Sequence, residues 1–544
     1  MKLYFLSLLK DTPKLGYWDY AILEDIFKGL ELQEHEVSQI PVIKNPFNQA
    51  IVVVPSRSHA AHVKQINVEL NKLSSVVLFL MGDEESVFPV EEIKHNNIKI
   101  WVQNPKPGRH DQYRKLGCGY TPHIKGAKEI PKKELNWFFS GQINNDRRRE
   151  CCSALKELLL RNENLISGYL GQTPGFSLGL SKDEYIEKML QAKVAPCPSG
   201  SHTVDTFRLF EALELGCVPI ADNETPMNNW SGFWTWLFDE EPPFPTINRY
   251  DDLGGYIQDS LEKFPVLNNK IQSWWLRKKS QYRQTLRQDL DDLGFNLDKK
   301  PVSAVIPISP IPSHPETHIL EETVASVRRW LPKATIYLTF DGVRAENEEM
   351  RTDYNEHIRR VLWKSRFWGD VQPIIFDEHL HQVGMMRQVI DNIDTPVILY
   401  VEQDTPLVTD EHIEVAAIVS DILRGDSNVI RLHHEGVIPK EHNHLMIGEP
   451  QDCLQKTVQW SQRPHFASKA FYRRVLSENF SKGANCFIED LLHGKIQDSF
   501  NKDGVFGWEQ WRLHIYHPPT GNIKRSYHTD GREGAKKYDE SQIW

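Results

Sequence analysis

With 544 residues, 40% of them hydrophobic and 10% aromatic, the chain has material for about three to five folding units with real cores. A formal charge of -10, with no long basic run, argues against a protein held on nucleic acid mainly through phosphate contacts, though it leaves room for a local basic groove. The seven cysteines are scattered, odd in number and free of any repeated CxxC pair, which points to reduced thiols rather than a disulfide or zinc framework.

The opening stretch, MKLYFLSLLKDTPKLGYWDY, is briefly apolar. It lacks a basic n-region and a small-residue cleavage site, and Asp11 ends the run, so it reads as a first strand rather than a signal peptide. No apolar stretch approaches the ~20 residues of a membrane span, and a cytoplasmic location in a bacterial or viral setting is expected. Short apolar strands then alternate with helical patterns: KLYFLSLL, AIVVVPS after Gln49, SVVLFLMGDEE from Ser75 and IKIWVQ from Ile98. That spacing predicts βα units around a parallel sheet. NWFFSGQ from Asn136 begins a second series, and residues 193–222 continue it as strand, loop, helix and strand. Residues 1 to about 290 therefore read as two Rossmann-like halves, about 1–130 and 131–290, facing each other. A charged, tryptophan-bearing helix is expected from Ile271 to about Asp298.

A polar break at Leu297–Lys300 precedes a new start, PVSAVIPISP from Pro301, which sets expected domains of 1–300 and 301–544. The helix THILEETVASVRRWLP, the strand ATIYLTFDG and a later strand in DTPVILYVEQDTPLV follow, the last running into an acidic loop. The remainder reads as mixed α and β, with no internal repeat. The fold class expected throughout is α/β.

Residues 193–230, KVAPCPSGSHTVDTFRLFEALELGCVPIADNETPMNNW, suit a nucleotide diphosphate. The loop from Pro198 to Thr203, which contains Ser201, is rich in small residues and precedes a helix, whose free N–H groups and positive end would receive phosphate. Arg208 adds a planar cationic fork. Glu211 follows three residues later on the same helical face, where a carboxylate can accept both ribose hydroxyls. The bland alternative is a helix packed on a sheet, with Arg208 and Glu211 as a surface ion pair. The loop, the helix and the turn Gly216-Cys217-Val218-Pro219 occurring together favour the ligand reading.

This segment resembles the signature of the exostosin-like glycosyltransferases, with Asp205, Arg208, Glu211 and Gly216-Cys217-Val218-Pro219 in the expected order. FFSGQINNDRRR upstream resembles that family's strand, glycine and arginine block, around Gly141 and Arg147. The resemblance covers roughly residues 130–235, and Asp205-Thr206 departs from the family's serine before the arginine. It implies a GT-B fold with the donor held by the second half, and inverting, metal-independent transfer. A catalytic base would then come from the first half, where Asp83, Glu84 and His110 lie near predicted strand ends. Each of these reads more readily as a surface or capping residue.

The second half of the chain carries a different constellation. A leaving nucleoside diphosphate is dense in negative charge, and a divalent metal held by carboxylates neutralises it. Glu402-Gln403-Asp404 follows the buried strand VILYV, at the end where open parallel sheets bind ligands. Asp341, closing its own strand, would help hold the nucleoside, and Gly384 and Arg387 sit on a helix just before the acidic strand. Glu489-Asp490 is an acid pair beside a predicted helix start, where an N-terminal capping role is the bland reading. The ordering resembles the GT-A glycosyltransferases, broadly the family-2-like and exostosin C-terminal domains. That resemblance implies a metal site at Asp404 and Glu402, with Asp490 and its neighbour Glu489 as base or acceptor contact. It also implies a late histidine completing the metal site, His528 with His517 as its rival. Glu-Gln-Asp stands where Asp-x-Asp is commoner.

Together the resemblances imply a GT-B-like pair followed by a GT-A domain. Such a chain would be a bifunctional glycosyltransferase using nucleotide-sugar donors, a glycan acceptor and, in the second module, Mn²⁺ or Mg²⁺. The alternatives are a viral enzyme that glycosylates hydroxymethylated bases in DNA, or a chain in which one module is an inactive sugar-binding relic.

Overall fold

The computed structural model describes residues 1–9, 20–42, 48–124, 129–161, 167–173, 175, 178–298, 300–519, 521–530 and 536–537; Asp11 and Lys299 lie outside them. The chain divides into two compact units, Met1–Asp298 and Lys299–Trp544. Both are α/β, all seven cysteines are free thiols, and among the described residues no helix is long and apolar enough to cross a membrane.

The first unit holds two parallel sheets. Strands β1 (Lys2–Leu6), β2 (Gln33–Val37), β3 (Gln49–Pro55), β4 (Ser75–Met81), β5 (Ile98–Gln103) and β6 (Arg114–Leu116) pair in the order β2-β1-β3-β4-β5-β6. Every residue of β4 is buried, which is why SVVLFLM is a continuous apolar run rather than an alternating one. Strands β7 (Leu135–Gln142), β8 (Tyr169–Thr173), β9 (Ala192–Cys197), β10 (Val218–Asp222) and β11 (Thr246–Ile247) form the second sheet, ordered β11-β10-β9-β7-β8.

One long helix, Val266–Asp292, touches both halves of this unit. On the first, Trp101 Nε1 and Arg114 Nη2 donate to Asp289 at 3.1 and 2.8 Å. On the second, Asn268 donates to the Gly216 carbonyl and Trp275 to Glu214. Lys279 bridges the two directly, 2.7 Å from Glu214 and 3.3 Å from Asp25. The helix stops at Asp292, earlier than the sequence suggests. Gly294 takes a left-handed φ of 77° and lets Phe295 N bond back to the Leu290 carbonyl, a closure that a Cβ would strain.

The second unit is built on one mixed sheet. Its strands are β12 (Val302–Ile308), β13 (Ile336–Phe340), β14 (Val371–Ile375), β15 (Val397–Tyr400), β16 (Val429–Arg431), β17 (Met446–Gln451), β18 (Leu454–Thr457), β19 (His465–Ser468) and β20 (Leu513–Tyr516). They are ordered β14-β13-β12-β15-β19-β16-β20-β18-β17. The first four in that order run parallel, and β19 is antiparallel to both β15 and β16. Strand order reverses at β12, and open parallel sheets place ligand crevices beyond the carboxyl ends of strands at such a point, here β12, β13 and β15.

Candidate functional site

In the first unit a cavity of about 520 Å³ opens at the carboxyl ends of β4 and β7, within the size range of small-molecule sites. Its floor is made by β7 and the helix Phe207–Glu214. Arg208 lies 4.5 Å over the Phe139 ring and donates from Nη2 to the Ser140 carbonyl at 2.6 Å. Arg148 comes from the helix Asp146–Arg161, anchored by Nε to the Ser199 carbonyl at 3.2 Å. Burial and the nearby Arg208 charge push the Arg148 guanidinium down to about 10. Two cations that disfavour each other face one cavity, and an anion between them relieves both. Thr206 makes no side-chain cap, so the first-turn amides of the helix Phe207–Glu214 add to the attraction. Glu211 also lines the cavity, its carboxylate accepting from Tyr185 Oη at 2.8 Å and Thr121 Oγ1 at 3.2 Å. Burial raises it above the ordinary carboxylate range, against the pull of Tyr185 and Arg208.

Gly141 belongs to the site for a steric reason. A Cβ there would stand 2.1 Å from Arg208 Nη2. The obstructing atom is the far end of a flexible side chain, so Gly141→Ala should expel the guanidinium rather than unfold the sheet. The expected result is a roughly tenfold or greater loss of nucleotide affinity at an unchanged melting temperature, read by calorimetric titration with UDP and GDP.

Ser201 lines the cavity as an exposed residue of its rim. Asp205 lines it too, but it is nearly fully buried and Oδ2 is engaged by Cys118 N at 2.9 Å and Asn104 Nδ2 at 3.3 Å. It stitches the loop before the helix to the end of the first sheet, and burial raises its carboxyl to about 8. Arg147 is a correction to the sequence expectation. It turns away from the cavity and grips buried Asp222 through Nε and Nη2 at 3.1 and 2.6 Å, beneath the Tyr250 ring. Its neighbour Arg148 takes the place facing the cavity, and Arg149 pairs with Asp146 on the exposed side. Three successive arginines point about 100° apart on a helix, and only the helix's phase decides which one faces the cleft. Of the three base candidates, Asp83 caps its own loop through Val87 N and Phe88 N. His110 is buried, accepts from Lys106 N and is pushed down by burial to about 4. Glu84 lines the cavity.

In the second unit, Glu402, Gln403 and Asp404 leave the end of β15 in a tight turn, Thr405 N bonding back to the Glu402 carbonyl at 3.1 Å. Buried Gln403 fixes the turn, donating to the Ser309 carbonyl at 3.0 Å while its own carbonyl accepts from Thr323. The Asp404 carbonyl is held by Thr529 N at 2.8 Å, and that pairing brings His528 Nε2 to 3.4 Å from Asp404 Oδ2. His517 lies elsewhere, its N–H on the Cys453 carbonyl. Glu402 accepts from Tyr400 Oη at 3.4 Å, and burial together with the Asp404 charge raises it to about 8. Gln382 joins two parts of the site: Nε2 donates to Tyr400 Oη at 2.7 Å, and Oε1 accepts Ile488 N at 2.8 Å. The helix Ile488–Asp503 is thereby docked with its first turn beside the acidic loop. Half-buried Glu489 accepts Gln462 N at 3.2 Å, and Asp490 is exposed. Arg463, which the sequence reading did not single out, supplies positive charge near Glu402.

Two expectations are corrected here. Arg387 donates to the carbonyls of Leu476, Phe480 and Ser481, closing the end of the helix Lys469–Asn479 instead of facing the crevice. Asp341 directly follows β13, but its oxygens are engaged by Gly342 N, Leu380 N and His381 N and lie 2.8 Å from His379 Nδ1. It holds its loop closed rather than offering acceptors to a ribose. Among the described residues no group of three or more His, Cys, Asp or Glu side chains converges as a metal cage.

No family model and no curated protein matches the chain. Among solved structures it is similar to Staphylococcus aureus TarS, at 11% identity over 42% of this chain and 36% of that one, with a TM-score of 0.27. It is likewise similar to TarS 1-349 in complex with UDP-GlcNAc, at 11% identity over 45% and 62% of the two chains, with a TM-score of 0.25. A third is the mannosyltransferase PcManGT from Pyrobaculum calidifontis in complex with GDP-Man and Mn2+, at 10% identity over 47% and 67%, with a TM-score of 0.27. The chain thus spans only 36% of full TarS and 62% of its 1-349 fragment. Scores this low do not establish a shared fold, and the two sites stand on their own geometry.

Proposed function

We propose that the chain is a glycosyltransferase with two donor sites, one in each unit, acting from nucleotide sugars on a glycan acceptor. The observation that carries this reading is the convergence of Arg148 and Arg208 on one cavity beside Glu211. Paired guanidiniums and helix amides suit the diphosphate, and Glu211, oriented by Tyr185 and Thr121, suits the ribose hydroxyls. As the sugar bond breaks, the cations hold the charge that develops on the leaving diphosphate, and the resemblance to the exostosin-like enzymes implies transfer with inversion and without a metal.

In the second unit Asp404 and His528 offer one oxygen and one nitrogen, partly exposed at the carboxyl end of a parallel strand. That donor set fits a Mn²⁺ or Mg²⁺ ion shared with a diphosphate and water rather than caged by protein. A bound ion would neutralise the leaving diphosphate. The chain's own part is to fix Asp404 through Gln403 and Thr529, and to present Glu489 and Asp490 toward the acceptor.

The test is nucleotide titration of the intact chain. In EDTA, wild type should bind one UDP or GDP per chain. Arg208→Ala should weaken that binding about ten- to a hundredfold, the value of a charge-assisted contact of roughly 1.5–3 kcal/mol. Glu211→Ala should weaken it with the fold intact. Affinities equal to wild type in both variants would remove the donor site from this cavity.

A further inference from the structure

We infer that Glu84 is the general base of transfer in the first unit, an assignment that rests on the donor site proposed above. Three carboxylates line the cavity: Glu84, Asp205 and Glu211. Asp205 is engaged by Cys118 and Asn104, and Glu211 by Tyr185 and Thr121. Glu84 alone has no hydrogen-bond partner among the described residues. It nevertheless sits on a firmly held loop. The chain leaves β4 through Gly82, at a φ of 70°, and Gly82 N donates to Gln103 Oε1 at 2.8 Å. Asp83 ties the loop back to Val87 and Phe88, Arg109 donates to the Phe88 carbonyl at 2.8 Å and Lys106 to the Glu85 carbonyl at 3.0 Å. Glu85 pairs with Arg57 at 2.5 Å and lies 3.8 Å from His202. A rigid loop that satisfies both neighbouring acids leaves one carboxylate facing the cavity, which is how a positioned base is built.

The charges divide by half. Arg148 and Arg208 belong to the second half, Glu84 to the first, and an inverting displacement needs leaving group and nucleophile on opposite sides of the sugar. Glu84 stays open to solvent on one side, yet the cavity walls strip enough water to raise its pKa above the ordinary range. His202, Arg57 and Arg148 pull it down and Glu85 pushes it up. In the step, Glu84 takes the proton of the acceptor hydroxyl as that oxygen bonds to the anomeric carbon. The bond from that carbon to the phosphate oxygen breaks with its electron pair, and the nucleoside diphosphate leaves toward Arg148 and Arg208. Glu84 then gives its proton to water.

The experiment uses the intact chain in EDTA, with water as acceptor. Release of UDP or GDP is followed from UDP-glucose, UDP-N-acetylglucosamine and GDP-mannose. Glu84→Gln should lower turnover by about 10²–10⁴-fold. Its melting temperature should match wild type, and affinity for the free nucleotide should be equal or tighter, because a like charge has gone. Formate or azide should restore part of the turnover of Glu84→Ala. Turnover of Glu84→Gln within threefold of wild type overturns the assignment and leaves the donor site standing. Loss of nucleotide affinity along with turnover also overturns it, since Glu84 would then hold the donor. A wild type that binds nucleotide but turns over none of the donors removes the base. A wild type that binds neither UDP nor GDP removes the donor site as well.

Discussion

The second unit should lose its fold between about pH 6 and 4.5, while the first keeps its own. Six histidines of the second unit are held neutral by burial: His314 and His433 are pushed down to about 2, His434 to about 3, and His357, His465 and His514 to about 4. His314 and His357 stack with ring centroids 3.8 Å apart, so charging either would set a cation against its neighbour. In the unfolded chain all six take protons below about pH 6.5. The unfolded state therefore binds more protons, and stability falls as pH falls from there toward the folded values. Each histidine withdraws up to about 1.4 kcal/mol per pH unit, and together they can exceed the roughly 5–15 kcal/mol of a typical domain within two units. Glu402, raised to about 8, works the other way and gains on acidification, but it is one group against six. In the first unit burial lowers His59 and His110. Hydrogen exchange of the intact chain, corrected for intrinsic rate and mapped by peptides, reads each unit separately. Protection retained in β12–β20 at pH 4.5, or lost in both units at the same pH, would contradict the expectation.

The sheets were legible in the sequence because parallel strands buried on both faces appear as unbroken apolar runs, as β4 and β15 do. The glycine of FFSGQ stood out only through the family resemblance; that a Cβ at Gly141 would stand 2.1 Å from Arg208 Nη2 is visible in the structure alone. Side-chain direction within an element was not legible. Nothing in NDRRR tells which arginine faces the cavity, because that depends on where the helix begins relative to β7. Arg387 shows the same limit in the second unit: its helix lies beside the crevice, but its guanidinium closes another helix. Which of His517 and His528 lies near Asp404 was beyond any local signal, because bonding of Thr529 to the Asp404 carbonyl across 125 residues of sequence brings His528 there.

Asp404→Asn should cost the second unit its Mn²⁺ binding and leave its fold unchanged. The backbone at this position is fixed independently of the side chain, by Thr529 N and Oγ1 on the Asp404 carbonyl at 2.8 and 3.1 Å. The asparagine therefore keeps the place and the shape and loses only the charge. A hard divalent ion bound by a single carboxylate and a neutral imidazole depends on that charge for most of its protein-derived attraction. With UDP present, Mn²⁺ affinity followed by paramagnetic resonance should fall at least about a hundredfold, and the metal-dependent turnover should fall with it. His528→Ala should fall less, about tenfold, because diphosphate and water can fill a nitrogen position more readily than they replace a charge. Asp490→Asn should separate the two readouts, leaving Mn²⁺ and UDP binding intact while turnover is lost, as expected of a group acting on the acceptor. In all three variants the EDTA-resistant nucleotide binding of the first unit should be untouched. Mn²⁺ affinity equal to wild type in Asp404→Asn would make the loop after β15 a structural turn, held by Gln403 and Thr529 for its own sake.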